Sequence, residues 1–478
     1  MTTERLTFGH PSVALVRRRG TVRSTAALAD EPAPVRLSVL ATWDWAWGGL
    51  LLFTIFLFFR PQDQLGLRDS NISDVIAIVG LISMVLMNVS RGRAPIRVTR
   101  ELIGVVALGA VMLATVATSY WPGGAFRVFT DVYLTLALIF LLMINTVTSP
   151  KRIERICWVI VLAFGYMSSR VIFNYVRGVG LVEGSRAIGP DGGFFENPND
   201  LALNLVVFLP LALMYVRRPG PPFKRLVAAA ISGLMLVALV CTKSRGGTLG
   251  GVAMLVTFLV VSRSLTPASL IALVIAGMLV VPVLPPAFWD RMASITDARK
   301  DPTGSREERK ILLQHAWHTF LEYPLTGVGA GQFQNFFVEG LGTRWRETHN
   351  ALLQVAAELG LFGLIAFCFL IVHAFGAALF TRRSLLWIYR KRRRGREPAP
   401  ETADGLEPDE RVFLQTHGAA MVAAVVGWFV TAMFLSVAYG WTFFYVLGLA
   451  VVGRDVIRHR AAALADARQR GEARVVLA

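Results

Sequence analysis

The chain has 478 residues, 54% hydrophobic and 17% charged, with a formal net charge of +17. A soluble globular chain carries roughly 25% charged residues; here apolar residues gather instead in blocks able to cross about 30 Å of hydrocarbon, which points to a polytopic, all-α integral membrane protein. Strict two-residue alternation, the mark of a barrel, is missing, and the basic surplus fits cytoplasmic loops better than a nucleic-acid surface, so no nucleic-acid partner is expected.

Residues 1–40 are polar and rich in Arg and Pro, with no apolar run or cleavage site. They read as a disordered cytoplasmic tail, not a signal peptide. Twelve spans follow, at 42–59, 71–89, 102–120, 128–147, 156–175, 200–216, 226–242, 248–262, 267–285, 351–380, 414–437 and 440–457. The layout is a tail at 1–40, spans one to nine within 41–285, a large outward loop at 286–350, spans ten to twelve within 351–457, and a tail at 458–478. A basic loop at 381–412 separates spans ten and eleven. Span ten is long enough to begin outside the hydrocarbon. The three cysteines, Cys157, Cys241 and Cys368, lie in apolar runs and give neither a disulfide framework nor metal spacing.

With the N-terminus inside, 33 of the 49 basic residues fall on the cytoplasmic side, "YRKRRRGR" (389–396) and "RGRAPIRVTR" (91–100) among them. The positive-inside bias therefore places both termini in the cytoplasm and turns 176–199, 243–247 and 286–350 outward. Lys243 and Arg245, in "LVCTKSRGGTLGG" (239–251), stand against that bias. Each is able to serve as an interfacial anchor. Two glycines after Arg245 also suit a turn or a close approach to a ligand.

The first long outward loop, "RGVGLVEGSRAIGPDGGFFENPNDLALN" (177–204), is irregular backbone at the membrane edge, tolerated where protein or a water-filled cavity covers it. Asn197-Pro198 makes a turn, and Asn199 or Asp200 suits an N-cap; Arg186 shares a face with Arg245. In the second loop, "TGSREERKILLQHAWHTFLEYP" (303–324) has helical spacing at Ile311, Leu312, Trp317, Phe320 and Leu321, as in an amphipathic helix on the membrane surface capped by Thr303 or Ser305. His315 and His318 alone make a weak metal signal and read as solvated or core histidines. "GVGAGQF" (327–333) has no strand-to-helix context and reads as a tight turn. In "TRWRETHNALLQVAAELG" (343–360), Thr348 or Asn350 suits the cap of span ten, and His349 either belongs to that cap or acts as a base at the membrane surface.

"GSRAIG…FFENPNDLA", "TKSRGG", "TGSREERKILLQHAWHTFLEYPLTGVGAGQF" and "ETHNALLQVAAELGLFG" occur in that order, and together they resemble the O-antigen ligase / O-antigen polymerase superfamily. "FFRPQDQLGL" (58–67) also looks like the branch found beside exosortase systems. The resemblance implies a GT-C-like glycosyltransferase in the bacterial inner membrane. Its donor would be a glycan on undecaprenyl diphosphate and its acceptor a hydroxyl on glycan, lipid A-core or protein, with no cofactor and no metal. The family's functional groups would fall on Arg186, Arg245 and His349, with Lys243, Asn197, Asn199, Arg306 and Asn350 as substrate-binding candidates. The chemistry suits these residue types. Breaking a sugar–diphosphate bond develops negative charge, which guanidinium forks bind bidentately. An acceptor hydroxyl is a poor nucleophile, so a base is useful.

Three alternatives stand beside this reading. A polymerase shares the chemistry and differs only in acceptor. A transporter of an anionic solute would also use outward arginines, although no inverted repeat is evident. Asp63 and Asp69 would resemble the acidic site of a metal-dependent GT-C enzyme.

Overall fold

The computed structural model describes residues 44–64, 66, 72–189, 195–263, 286–293, 305–336, 347–392 and 406–470. The predicted N-terminal tail, the ninth span at 267–285, Asp69, Thr303 and the side chains of Ser305 and Arg306 lie outside this description. The helices are α1 (Trp45–Phe58), α2 (Ile72–Ser90), α3 (Arg100–Ala114), α4 (Pro122–Thr146), α5 (Pro150–Val176), α6 (Pro198–Arg217), α7 (Pro222–Thr242), α8 (Arg245–Val261), α9 (Pro286–Ala293), α10 (Ser305–Glu322), α11 (Ala351–Arg392), α12 (Pro408–Ala432) and α13 (Trp441–Gln469). A two-residue antiparallel pair, β1 (Leu181–Val182) and β2 (Arg186–Ala187), interrupts the α architecture.

Each predicted span that falls on described residues has a helix at its place, so the chain is a polytopic helical membrane protein. Among the described residues, seven helices are long and apolar enough to cross a membrane, and α1 and α8 are shorter apolar helices. The predicted count of twelve is not confirmed, since the ninth span lies outside the described residues. The predicted span 102–120 stops as a helix at Ala114. Beyond it, the hydroxyls of Thr115, Thr118 and Ser119 donate to carbonyls three residues back and compete with the helical ladder. In the other direction, α11 runs to Arg392, into the predicted basic loop, and α13 runs to Gln469, into the predicted tail.

The helix starts are written in the sequence. Pro122, Pro150, Pro198, Pro222 and Pro408 each occupy the first turn, where the missing N–H costs nothing. Side chains of Thr99, Ser149, Asn197 and Ser244 accept from the orphan N–H groups of the turns that follow them. Burial grades the spans: α6 and α12 are mostly enclosed, whereas α2 is mostly exposed. Its outer residues Val75, Ile78, Val79, Ile82 and Leu86 form one helical stripe, as expected of a lipid-facing wall.

Small residues seat α8 against its neighbours. Its glycines meet Phe434 at Gly246, Ala202 at Gly247, Thr431 at Gly250, and Leu239 and Val206 at Gly251. Such contacts let backbones approach closely where lipid offers no hydrophobic drive between helices. Midway along α13, Arg454 holds both carboxylate oxygens of Glu101 from α3, at 2.5 and 2.9 Å, and Asp455 bridges Arg454 to Arg97.

Candidate functional site

The starts of α6, α8 and α11 meet at one end of the bundle with the 433–440 turn between α12 and α13. Arg186 sits on β2, delivered by a turn in which Glu183 and Gly184 take positive φ. Its side chain is 5% exposed. Nη2 donates to Asn199 Oδ1 at 2.7 Å, Nε donates to the Thr242 carbonyl at 3.2 Å, and Glu183 lies 3.7 Å from Nη1. Asn199 Oδ1 also accepts from Ser244 Oγ at 2.8 Å. One buried guanidinium therefore ties the loop to the end of α7 and the start of α6, and through Asn199 to the start of α8. Placing it on the last carbonyl of α7 also complements that helix dipole. Burial, followed by repulsion from Arg291 and opposed by Glu183, pushes the Arg186 pKa down to about 10, so it remains a cation at neutral pH.

The predicted outward loop 243–247 is a two-residue break. Lys243 caps α7 in the left-handed region (φ 47°), and Ser244 caps α8 by accepting from Gly247 N at 3.2 Å. Arg245 is the first residue of α8. Gly246 and Gly247 are helical, and packing against Phe434 and Ala202 accounts for their lack of side chains. Lys243 is buried, with Nζ 5.7 Å from the Tyr175 ring.

Arg245 opens onto a narrow cleft that it lines together with Arg291 of α9, Arg309 of α10, Asn199 and Ser244. Three helices thus bring one arginine each to the N-terminus of α8, a surrounding that suits an anion. Arg291 also pairs with Glu183 at 3.1 Å. Neither Arg291 nor Arg309 was among the candidates from the sequence. Arg309 stands three residues beyond Arg306 on the same helix; for Arg291 the sequence carried no motif.

A larger cavity of about 230 Å³ lies on the other side of the 199–200 and 435–436 steps. Asp200, Glu347, Asn204, Gln354 and Thr442 supply its polar groups, and Trp441 stands among its aromatic ones. Asn204 Oδ1 accepts from Thr442 Oγ1 at 2.8 Å. The reading of Asp200 as a cap missed this place, since a position in the first turn of α6 conceals which cavity the helix borders.

His349 has φ 51°, and its N–H donates to Ser436 Oγ at 2.9 Å. It is not among the residues lining the cleft or the cavity, although Ser436 lines the cavity. Asn350 is the cap of α11: Oδ1 accepts from Leu352 N and Leu353 N, both at 3.0 Å. Asn197 caps α6 by accepting from Asn199 N at 2.9 Å. Of the eight predicted site residues, Arg245 and Asn199 share the cleft and Arg186 reaches it through Asn199, whereas Lys243, Asn197 and Asn350 hold helix ends.

The "GVGAGQF" segment is a clamp. Gly327, Gly329 and Gly331 all have positive φ, and Val328 N and Gly329 N donate to the Ala357 and Glu358 carbonyls of α11 at 3.0 and 2.8 Å. The buried Glu358 carboxylate accepts from Gly331 N at 2.9 Å. Freed of those carbonyls, α11 breaks at Gly360 (φ 63°), where Leu361 N turns to the Pro324 carbonyl. The first segment of α11 therefore leans against α10, where Leu312 and Ala316 pack on Phe333 and Ala357. Ile311, Trp317 and Leu321 remain exposed on the other side of α10. His315 meets Phe333 in a tilted contact at 5.3 Å and stacks on Phe336 at 5.8 Å, and burial, then the neighbouring His318, lowers its pKa. Asp63 is ion-paired with Arg60.

Residues 202–368 match the family model described as O-Antigen ligase. The match covers about a third of the chain and includes Arg245, Arg291, Arg309 and His349, while Arg186 and Asn199 precede it. That stretch is similar to the ligase/polymerase type of membrane protein that handles lipid-linked glycans. No curated protein matches the chain.

Proposed function

We propose that this protein is a membrane glycosyltransferase that moves a glycan from undecaprenyl diphosphate to an acceptor hydroxyl at the outer face of the bacterial inner membrane. The observation that carries the reading is the convergence of Arg245, Arg291 and Arg309 on the N-terminus of α8, with Arg186 one hydrogen bond behind. A diphosphate leaving group gains charge as the sugar bond breaks. Fixed guanidiniums and helix N–H groups at a partly dry edge stabilise that charge without reorganising during the reaction. Charge neutralisation then comes from arginine, so transfer is expected to persist in the presence of chelator. The adjoining cavity, with its amides, hydroxyls, carboxylates and Trp441, suits the sugar next to the bond and the incoming acceptor. His349, held at the 436 turn, is the proposed base or positioning group for the acceptor proton. The match at 202–368 supports the same class. The 58–67 segment supports the exosortase-associated branch.

The test uses purified protein in proteoliposomes with a lipid-diphosphate-linked glycan donor. A glycan joined to an acceptor, without net solute movement, supports the enzyme. Solute movement without a new glycosidic bond would establish the transporter. A ladder of lengthening lipid-linked products would assign the protein as a polymerase, and a single transfer to a terminal acceptor as a ligase.

A further inference from the structure

A second arginine-lined cavity lies at the opposite end of α6 and α8. Arg217 ends α6, Arg263 follows α8 and Arg382 stands on α11. All three line a cavity of about 160 Å³ whose apolar wall includes Met214, Phe258 and Ala419. Since α6 and α8 both start at the Arg245 cleft and both end here, the two sites stand about 25–30 Å apart at 1.5 Å per residue, close to one hydrocarbon thickness.

Arginines are ordinary at this end of a span, but these three are not arranged as surface anchors. They come from three elements and face a common space. Arg382 Nε donates to the Val261 carbonyl at 3.0 Å, which fixes that guanidinium over the C-terminus of α8. Arg263 holds a left-handed backbone, φ 53°. Nearby Arg218 has a carboxylate, Glu154, at 2.7 Å; among the described residues, none of Arg217, Arg263 and Arg382 has one. Three like charges around one cavity repel unless an anion offsets them. Guanidinium forks match phosphate oxygens, and Met214 and Phe258 give the cavity an apolar side.

We propose that this cavity binds the phosphate headgroup of an anionic phospholipid in the leaflet opposite the Arg245 cleft, with an acyl chain along the Met214–Phe258 wall. Basic pockets between spans recognise anionic headgroups in this way. The site is independent of the glycan-transfer reading, since it shares no residue with the cleft.

The experiment is native mass spectrometry of the full chain released from phosphatidylcholine nanodiscs containing phosphatidylglycerol. Wild type should retain one phosphatidylglycerol. Because Arg382 also caps α8, the decisive variant is the double Arg217→Gln/Arg263→Gln, which leaves that hydrogen bond in place. It should lower retention at least about tenfold, as expected for losing two charge-assisted contacts, with its unfolding midpoint in pure phosphatidylcholine unchanged. Lys224→Gln, an exposed charge at the same end that does not line the cavity, should retain lipid like wild type. Unchanged retention in the double variant, or an equal loss in Lys224→Gln, overturns the proposal. If inorganic phosphate displaces the lipid and stabilises lipid-free protein equally well, the ligand is free phosphate and the lipid assignment fails.

Discussion

Asn199 separates the two roles a residue can have at this site. Its Oδ1 holds Arg186 and Ser244, and it also borders the arginine cleft. Asn199→Asp keeps an acceptor for both partners but adds a negative charge where the diphosphate is proposed to sit. Turnover should fall by about 10²-fold or more while the unfolding midpoint holds; loss of both together would mark Asn199 as purely structural. Arg245→Ala and Arg309→Ala should each abolish measurable transfer in folded protein. Arg245→Lys should recover little, because an ammonium lacks the planar fork. His349→Ala should lower turnover by about 10²–10⁴-fold. His349→Gln restoring near-normal rates would assign a positioning role. Glu347→Gln is the companion measurement, since Glu347 lines the cavity and His349 does not. Arg245 and His349 stood out in the sequence because each broke a local expectation, a cation on the outward side and a histidine at a helix entrance. Arg291 and Glu347 broke none, and only the folding of distant segments together gives them a place.

At the scale of elements, the break in α11 is the feature that sequence periodicity passes over. The run from 351 to 380 reads as one apolar block, yet Gly360 interrupts it because Gly327 and its neighbours take over the carbonyls that would have continued the helix. Gly360→Ala places a side chain against Leu325 at a positive φ. It should cost about 1–3 kcal/mol, seen as a lower unfolding midpoint. The docking of α10 carries a pH dependence. Burial lowers the His315 pKa in the folded protein, so the unfolded or undocked form binds the proton more readily. Docking is then strongest above the ordinary histidine value of about 6.5 and weakens as pH falls below it, until the folded-state value is passed. Hydrogen-exchange protection at 305–322, taken relative to the intrinsic exchange rate at each pH, should fall on acidification in wild type and much less in His315→Phe.

For the whole molecule, the apolar blocks made the helices legible, while their lengths were not. Hydrophobicity marks what lipid tolerates; capping, hydroxyl competition and crossing glycines decide where a helix stops. Sidedness rests on charge counting alone, and labelling tests it. In a background lacking Cys157, Cys241 and Cys368, an impermeant thiol reagent should reach Val179→Cys in intact cells and leave Arg383→Cys untouched; the reverse pattern would invert the topology. A further consequence follows from α6, whose 20 residues run from the Arg186–Asn199 strut to Arg217. It is a post of about 30 Å, with Pro210 in its interior and an arginine near each end, so the protein carries its own gauge of bilayer thickness. In a membrane much thicker or thinner than that gauge, one end must leave its interface or the bilayer must deform, at a modest cost per ångström. Turnover measured across lipids of graded acyl length should therefore pass through a maximum, with the rate falling on both sides as the Arg245 cleft is drawn into hydrocarbon or lifted away from the headgroups that present its substrate.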